Sequence, residues 1–313
     1  MLRAIGYIVL GGSVVLVVSR LHAQVAGLSV LLSGDFVALL LVCALAYAVS
    51  LQGLSVAWYR LLQWLGPAPG SIAQWHGVYG RTSIARYLPG NVFHFAGRHV
   101  MGRRLGAGDA LLAVAAVYEL LGLAGAATLI ATLGVVLWPT QGWPFGSLAS
   151  WVIAGTVLAG ILALARLLPA LLARFGMKGA NLVEGRSVVG GFGPCLLLYV
   201  GFIGTSSAIA CAIAIWLGKG PTPWIALPAY AIAWLVGFAV PGASGGLGVR
   251  EAVFLLLLEQ SVASSVGLQV AVSTRVVTTL GDLLFFLASF AWPTPSAARA
   301  EGSGLPNVDD EGR

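Results

Sequence analysis

The sequence predicts an all-α fold: a polytopic membrane helical bundle of about eight spans, with two Pro/Gly-broken segments that read as re-entrant. Three observations predict it. Of 313 residues, 58% are hydrophobic and only 9% are charged, whereas a soluble domain carries roughly 25% charged residues. Apolar runs of spanning length recur from one end of the chain to the other. Between them lie two stretches whose prolines and glycines no ordinary membrane helix tolerates.

A span needs about 20 apolar residues. Candidate spans cover residues 4–18, 36–58, 110–137, 147–168, 192–217, 224–240 and 266–292, with a short apolar helix at 249–258. The second continues towards Trp64 until Pro67, Pro69 and Gly70 break it. The stretch 71–106 is too polar to span and too apolar for an ordinary loop. Residues 1–292 form one membrane domain, and 293–313 form a polar tail that reads as disordered. The first span, preceded by one Arg and followed by no small-x-small cleavage site, reads as retained rather than as a signal peptide. Whether 249–258 crosses decides between seven and eight spans; eight places both termini on the same side.

Charge orients the bundle. The net charge is +6, and between Asp35 and Asp109 there is no acidic residue at all. That stretch holds Arg60, Arg81, Arg86, Arg98, Arg103 and Arg104 with His76, His94 and His99. Nucleic acid is a poor partner for so apolar a chain. The positive-inside rule and contact with anionic headgroups both account for the pattern. Arg3, the 60–104 stretch and residues 166–186 then face the cytoplasm, and the uncharged 138–143 loop faces outward. The chain is therefore expected in a cytoplasmic (inner) membrane with a cytoplasmic N-terminus and C-terminus. All basic residues but Lys178 and Lys219 are Arg, which suits bidentate phosphate contacts, although GC-rich coding gives the same bias.

Several chemistries are not supported. Cys43, Cys195 and Cys211 sit in apolar runs without ligand spacing. His94 and His99, five residues apart, share no helical face, so no metal is expected. No nucleophile elbow, P-loop, dinucleotide fingerprint or zinc-protease motif occurs, so neither a catalytic residue nor a cofactor is expected. Trp58, Trp64, Trp75, Trp138, Trp143, Trp224 and Trp292 near span ends read as the interfacial belt.

The first broken segment is residues 86–98, around Pro89 and Gly90. The second is residues 241–251, with Pro241, Gly242, Gly245, Gly246 and Gly248. Proline removes a backbone donor and glycine admits positive φ. The freed N–H and C=O groups survive at membrane depth only where protein or a water-filled cavity surrounds them. Pro89 and Pro241 lie about half the chain apart, the pattern of a repeat with a central site. A helix that starts after such a break presents free N–H groups to an anion. Both breaks are charged: Arg86 and Arg98 in one, Arg250 and Glu251 in the other. Glu119, Arg275 and Asp282 add charges inside spans, and such residues face the interior and pair. Arg275 and Asp282 share one face, so a purely structural pair between those two is one reading and a polar cavity the other.

The run Arg86-Tyr87-Leu88-Pro89-Gly90-Asn91, Glu119, the Pro241-Gly242…Gly245-Gly246-Leu247-Gly248-x-x-Glu251 run, and Thr274-Arg275 with Leu280-Gly281-Asp282 together resemble the lysylphosphatidylglycerol synthase transmembrane, or flippase-like, family, over about residues 37–290. The family typically carries Lys where Arg86 stands, and Ala243-Ser244 is an insertion relative to its glycine motif. Larger members add a soluble aminoacyl-transferase domain, which is not expected here. The resemblance implies a translocase for a lipid with an anionic phosphate-bearing head, such as an aminoacylated phospholipid or a polyprenyl-phosphate-linked sugar. Arg86, Tyr87, Asn91, Arg98, Glu119, Arg250, Glu251, Arg275 and Asp282 would line its site. The alternatives are a membrane-embedded lipid-linked transferase and a non-transporting subunit of an envelope glycolipid complex, partnered by a glycosyltransferase or lipid-modifying enzyme.

Overall fold

A computed structural model describes residues 33–88, 92–137, 186–218, 223–240, 248–259 and 264–293, with scattered positions between 152 and 183. All regular structure among the described residues is helical. In chain order the helices are α1 (Gly34–Leu65), α2 (Ile72–Ser83), α3 (Phe93–Arg104), α4 (Asp109–Leu137), α5 (Val188–Leu217), α6 (Ala226–Ala239), α7 (Val249–Leu258) and α8 (Ser264–Ala288). A 3-10 turn, Ile84–Tyr87, follows α2.

Four helices are long and apolar enough to cross a membrane: α1, α4, α5 and the segment Val266–Ala291 that contains α8, with mean hydropathies of 2.2, 2.2, 2.0 and 1.6. The 32 residues of α1 span about 48 Å at 1.5 Å per residue, more than a hydrocarbon core of about 30 Å. Its end coincides with Gly66, ahead of the two prolines. The predicted span at 224–240 becomes α6, an apolar helix of only 14 residues. The 10-residue α7 is shorter still, and α6 packs against it and against α4 and α5. The expected first span lies outside the described residues, and of 147–168 only scattered positions are described. The described part is therefore all-helical, with four helices of the length and apolarity that a membrane crossing needs.

The stretch 71–106 folds as the two short helices α2 and α3. A capping box starts α2: the Ser71 hydroxyl accepts from the Gln74 N–H, and the Gln74 side chain accepts from the Ser71 N–H, which satisfies two donors left over at a helix start. Pro89, Gly90, Asn91, Pro241, Gly242, Gly245 and Gly246 lie outside the described residues; the helical flanks of both breaks lie within them.

The core joins α1 with α5 and α8. Gly281 permits the α1–α8 approach. A Cβ there would sit 2.5 Å from the Tyr47 ring and 2.9 Å from the Ala44 carbonyl oxygen. Small residues serve this purpose at membrane helix crossings, where tight packing rather than hydrophobicity drives association.

Candidate functional site

Six elements bring polar side chains to one place. The helix α2 supplies Tyr79, and the 3-10 turn after it supplies Arg86 and Tyr87. From α3 come His94 and Arg98, one turn apart and so on one face. Glu119 projects from α4. Arg250 and Glu251 stand in the first turn of α7. On α8, Arg275, Thr278 and Asp282 follow the i, i+3, i+7 spacing of a single stripe.

Three ion pairs result. Arg98 Nη1 donates to Glu119 Oε2 at 2.7 Å, with side chains only 4% and 1% exposed. Arg86 Nη1 lies 3.2 Å from Asp282 Oδ1. Arg275 Nη1 lies 3.3 Å from Glu251 Oε1. Each carboxylate uses its other oxygen as well. The Tyr79 hydroxyl donates to Glu119 Oε1 at 2.6 Å, the Tyr87 hydroxyl to Asp282 Oδ2 at 2.7 Å, and the Gly248 N–H to Glu251 Oε2 at 2.7 Å. Asp282 Oδ1 alone among these six oxygens is buried without a hydrogen bond from the described residues, and it faces Arg86 at ion-pair distance only. Gly248, at φ 78°, takes a left-handed conformation that glycine adopts without strain, and this turns its N–H back onto Glu251.

The cationic side is over-supplied. Arg86, Arg98, Arg250 and Arg275 face three carboxylates, and no carboxylate among the described residues lies within ion-pair distance of Arg250. Its guanidinium stacks 5.7 Å from the Trp234 ring centroid instead. Arg98 lies between Tyr79 at 4.1 Å and Trp58 at 4.5 Å, and Arg275 lies 5.6 Å from Tyr87. Cation–π contacts of this kind support a charge without neutralising it. Arg98 Nε, Arg250 Nε, Arg275 Nη2 and His94 Nδ1 are buried without a hydrogen-bond partner among the described residues. A buried unsatisfied polar group costs about 1–3 kcal/mol.

These groups surround a cavity of about 80 Å³, whose walls include Arg86, Tyr87, His94, Arg98, Glu119, Arg250, Arg275 and Asp282. Glu251 lines a smaller adjoining cavity with Arg250 and Arg275. Room for one water takes about 10–15 Å³, so the main cavity is sized for a small polar group. On α3, outside the four crossing helices, burial and then the charges of Arg98 and Arg86 push the His94 imidazole down to about 2. It is neutral at physiological pH.

Of the residues singled out in the sequence, Arg86, Tyr87, Arg98, Glu119, Arg250, Arg275 and Asp282 meet at the main cavity and Glu251 beside it; Asn91 lies outside the described residues. Arg275 and Asp282 do not pair with each other. Trp58 is not part of an interfacial belt: it is 2% exposed and forms one side of the Arg98 cage. Trp75 is fully buried and donates to the Pro69 carbonyl at 2.8 Å. His99, which has no acidic neighbour in sequence, finds Asp109 at 2.7 Å. Sequence reasoning missed Tyr79 and His94. Tyr79 sits in a polar run, Gly77 to Ser83, that no crossing helix would carry, and His94 is one turn before Arg98.

Neither the family models nor the curated proteins give a match to this chain.

Proposed function

We propose that the chain is an integral membrane translocase of flippase-like type for a lipid with an anionic phosphate-bearing head. The observation that carries this reading is the surplus of arginine donors. Four guanidinium groups face three carboxylates, and several of their N–H groups at the cavity have no partner among the described residues. A phosphate supplies acceptors for those donors, through charge-assisted hydrogen bonds roughly twice as strong as neutral ones. The ion pairs supply the alternation that transport needs. Glu119, Glu251 and Asp282 hold arginines in the present arrangement, and a phosphate that takes an arginine releases its carboxylate to a cationic group on the substrate or to a proton. The basic stretch 60–104 supports a cytoplasmic location for the nearby loops and a cytoplasmic membrane as the setting.

The arrangement favours translocation over a lipid-linked transferase. A general base needs a free acceptor within reach of the proton it removes. Glu119 and Glu251 have each oxygen hydrogen-bonded or ion-paired, and Asp282 Oδ1, which makes no hydrogen bond among the described residues, is held 3.2 Å from the Arg86 guanidinium. A non-transporting subunit of a glycolipid-synthesis complex would not require arginine donors facing an interior cavity. Reconstitution into liposomes with labelled lipids tests the reading. Acceleration of flip for anionic phospholipids or polyprenyl phosphates supports it, and a flip rate equal to protein-free vesicles removes it.

A further inference from the structure

A second, largely apolar cavity of about 220 Å³ lies beside the polar one, between α1, α3 and α4, lined by Trp58, Phe95, Ala96, His99, Leu112, Ala113 and Ala116. One residue, Phe95, lines both cavities. Behind it Arg98 lies 5.1 Å from the Phe95 ring centroid, and its Nε, like His94 Nδ1, is buried without a partner among the described residues. The outer wall is made of small side chains, and Ala96 and Ala113 are exposed. At the rim, His99 and Arg103 both reach Asp109, at 2.7 and 3.4 Å, so the apolar surface ends in a polar cluster.

We propose that this groove is the tail-binding half of the lipid site, and that Phe95 is the door between it and the head-binding cavity. The occupant is the hydrocarbon tail of a lipid whose anionic head lies past Phe95. The assignment rests on the head-binding role of the central cavity. The groove by itself selects only for apolar chain; the Arg98 guanidinium just behind Phe95, whose Nε–H has no partner among the described residues, adds selection for a negative head. Rotation of one aromatic side chain joins the two volumes, so a head passes sideways between α3 and α4 while its tail stays in hydrocarbon. Side-chain rotation on this scale is far faster than a helix rearrangement.

The test is photo-crosslinking of the full chain in vesicles of phosphatidylcholine with a minor fraction of phosphatidylglycerol. Ala113→p-benzoylphenylalanine and Ala96→p-benzoylphenylalanine place the label on two walls of the groove. Leu197→p-benzoylphenylalanine, on the highly exposed outer face of α5, is the bulk-lipid control. Crosslinks at 113 and 96 enriched about fivefold in phosphatidylglycerol over bilayer composition, the selectivity of one arginine–anion contact near the membrane surface, with none at 197, bear out the groove. Equal lipid composition at all three positions overturns it. Flip by the unmodified chain is measured in the same vesicles: enrichment without flip leaves the groove standing and removes translocation.

Discussion

Arg275 and Asp282 lie on one face of α8, yet each pairs away from the other. Seven residues of helix separate them by about 10 Å, too far for a direct ion pair. Arg275 turns to Glu251 in the flank of the second break. Asp282 turns to Arg86 and Tyr87 in the flank of the first. The last helix therefore holds both broken segments, and an anion that competes for either arginine loosens one of these ties.

Coupling across the second tie is measurable. Arg275→Ala, Glu251→Ala and the double variant, unfolded thermally in detergent, form a mutant cycle. Groups in direct contact couple by about 0.5–3 kcal/mol, and that range is expected. Additive effects would show that the pair is incidental. Glu251→Gln keeps an acceptor for the Gly248 N–H and is expected to be milder than Glu251→Ala.

The Arg98–Glu119 pair is the most deeply buried of the three. Glu119→Ala leaves a guanidinium without its carboxylate, and breaking a buried pair in this way costs about 3–5 kcal/mol. Replacing both residues, as Arg98→Met with Glu119→Leu, removes the stranded charge. The double variant is expected to be more stable than Glu119→Ala alone and inactive in lipid flip. A double variant as unstable as the single one would contradict the account.

Gly281→Ala tests the packing. The added methyl meets the Ala44 backbone carbonyl as well as the Tyr47 ring, so the helices must separate. Overpacking of this kind costs about 1–3 kcal/mol, read as a lowered unfolding temperature. An unchanged temperature would place the α1–α8 contact elsewhere.

His94 gives stability a pH dependence. Its folded value is depressed to about 2 from an unfolded value of about 6.5. Below pH 6.5 the unfolded chain takes up a proton that the folded chain refuses, so stability is full above 6.5 and falls as pH drops. The slope from this one group is at most about 1.4 kcal/mol per pH unit. Unfolding of the parent and of His94→Gln at about pH 7.5 and about pH 5.5 should show a smaller acid loss in the variant. Identical losses would mean that His94 is not shielded.

Much of this site was legible in the sequence because membrane burial makes charge conspicuous. Glu119, Arg275 and Asp282 stand out in apolar runs, and lipid leaves such groups no orientation but inward. Pairing was not legible. The i+7 spacing of Arg275 and Asp282 suggests a local pair, but the partners come from segments far away in the chain. Tyr79, His94 and Trp58 were invisible for another reason: each has an ordinary explanation as a core or interfacial residue, and only the position of Arg98 gives it a role. The helices at 34–65, 109–137 and 188–217 followed from hydropathy alone. The short α6 did not: 224–240 reads as a full span, whereas Pro223–Ile225 form a 3-10 turn and the α-helix begins only at Ala226.

The central claim is that the arginines at the cavity carry lipid across the membrane. The direct measurement is the flip rate of a labelled anionic lipid in liposomes holding the parent chain, Arg275→Ala or Glu251→Ala, with folding of each variant checked by its unfolding transition. The account predicts that the parent accelerates flip and that each folded variant loses tenfold or more, the loss of about 1.4 kcal/mol that one charge-assisted contact supplies. Flip at the parent rate in both variants would contradict it.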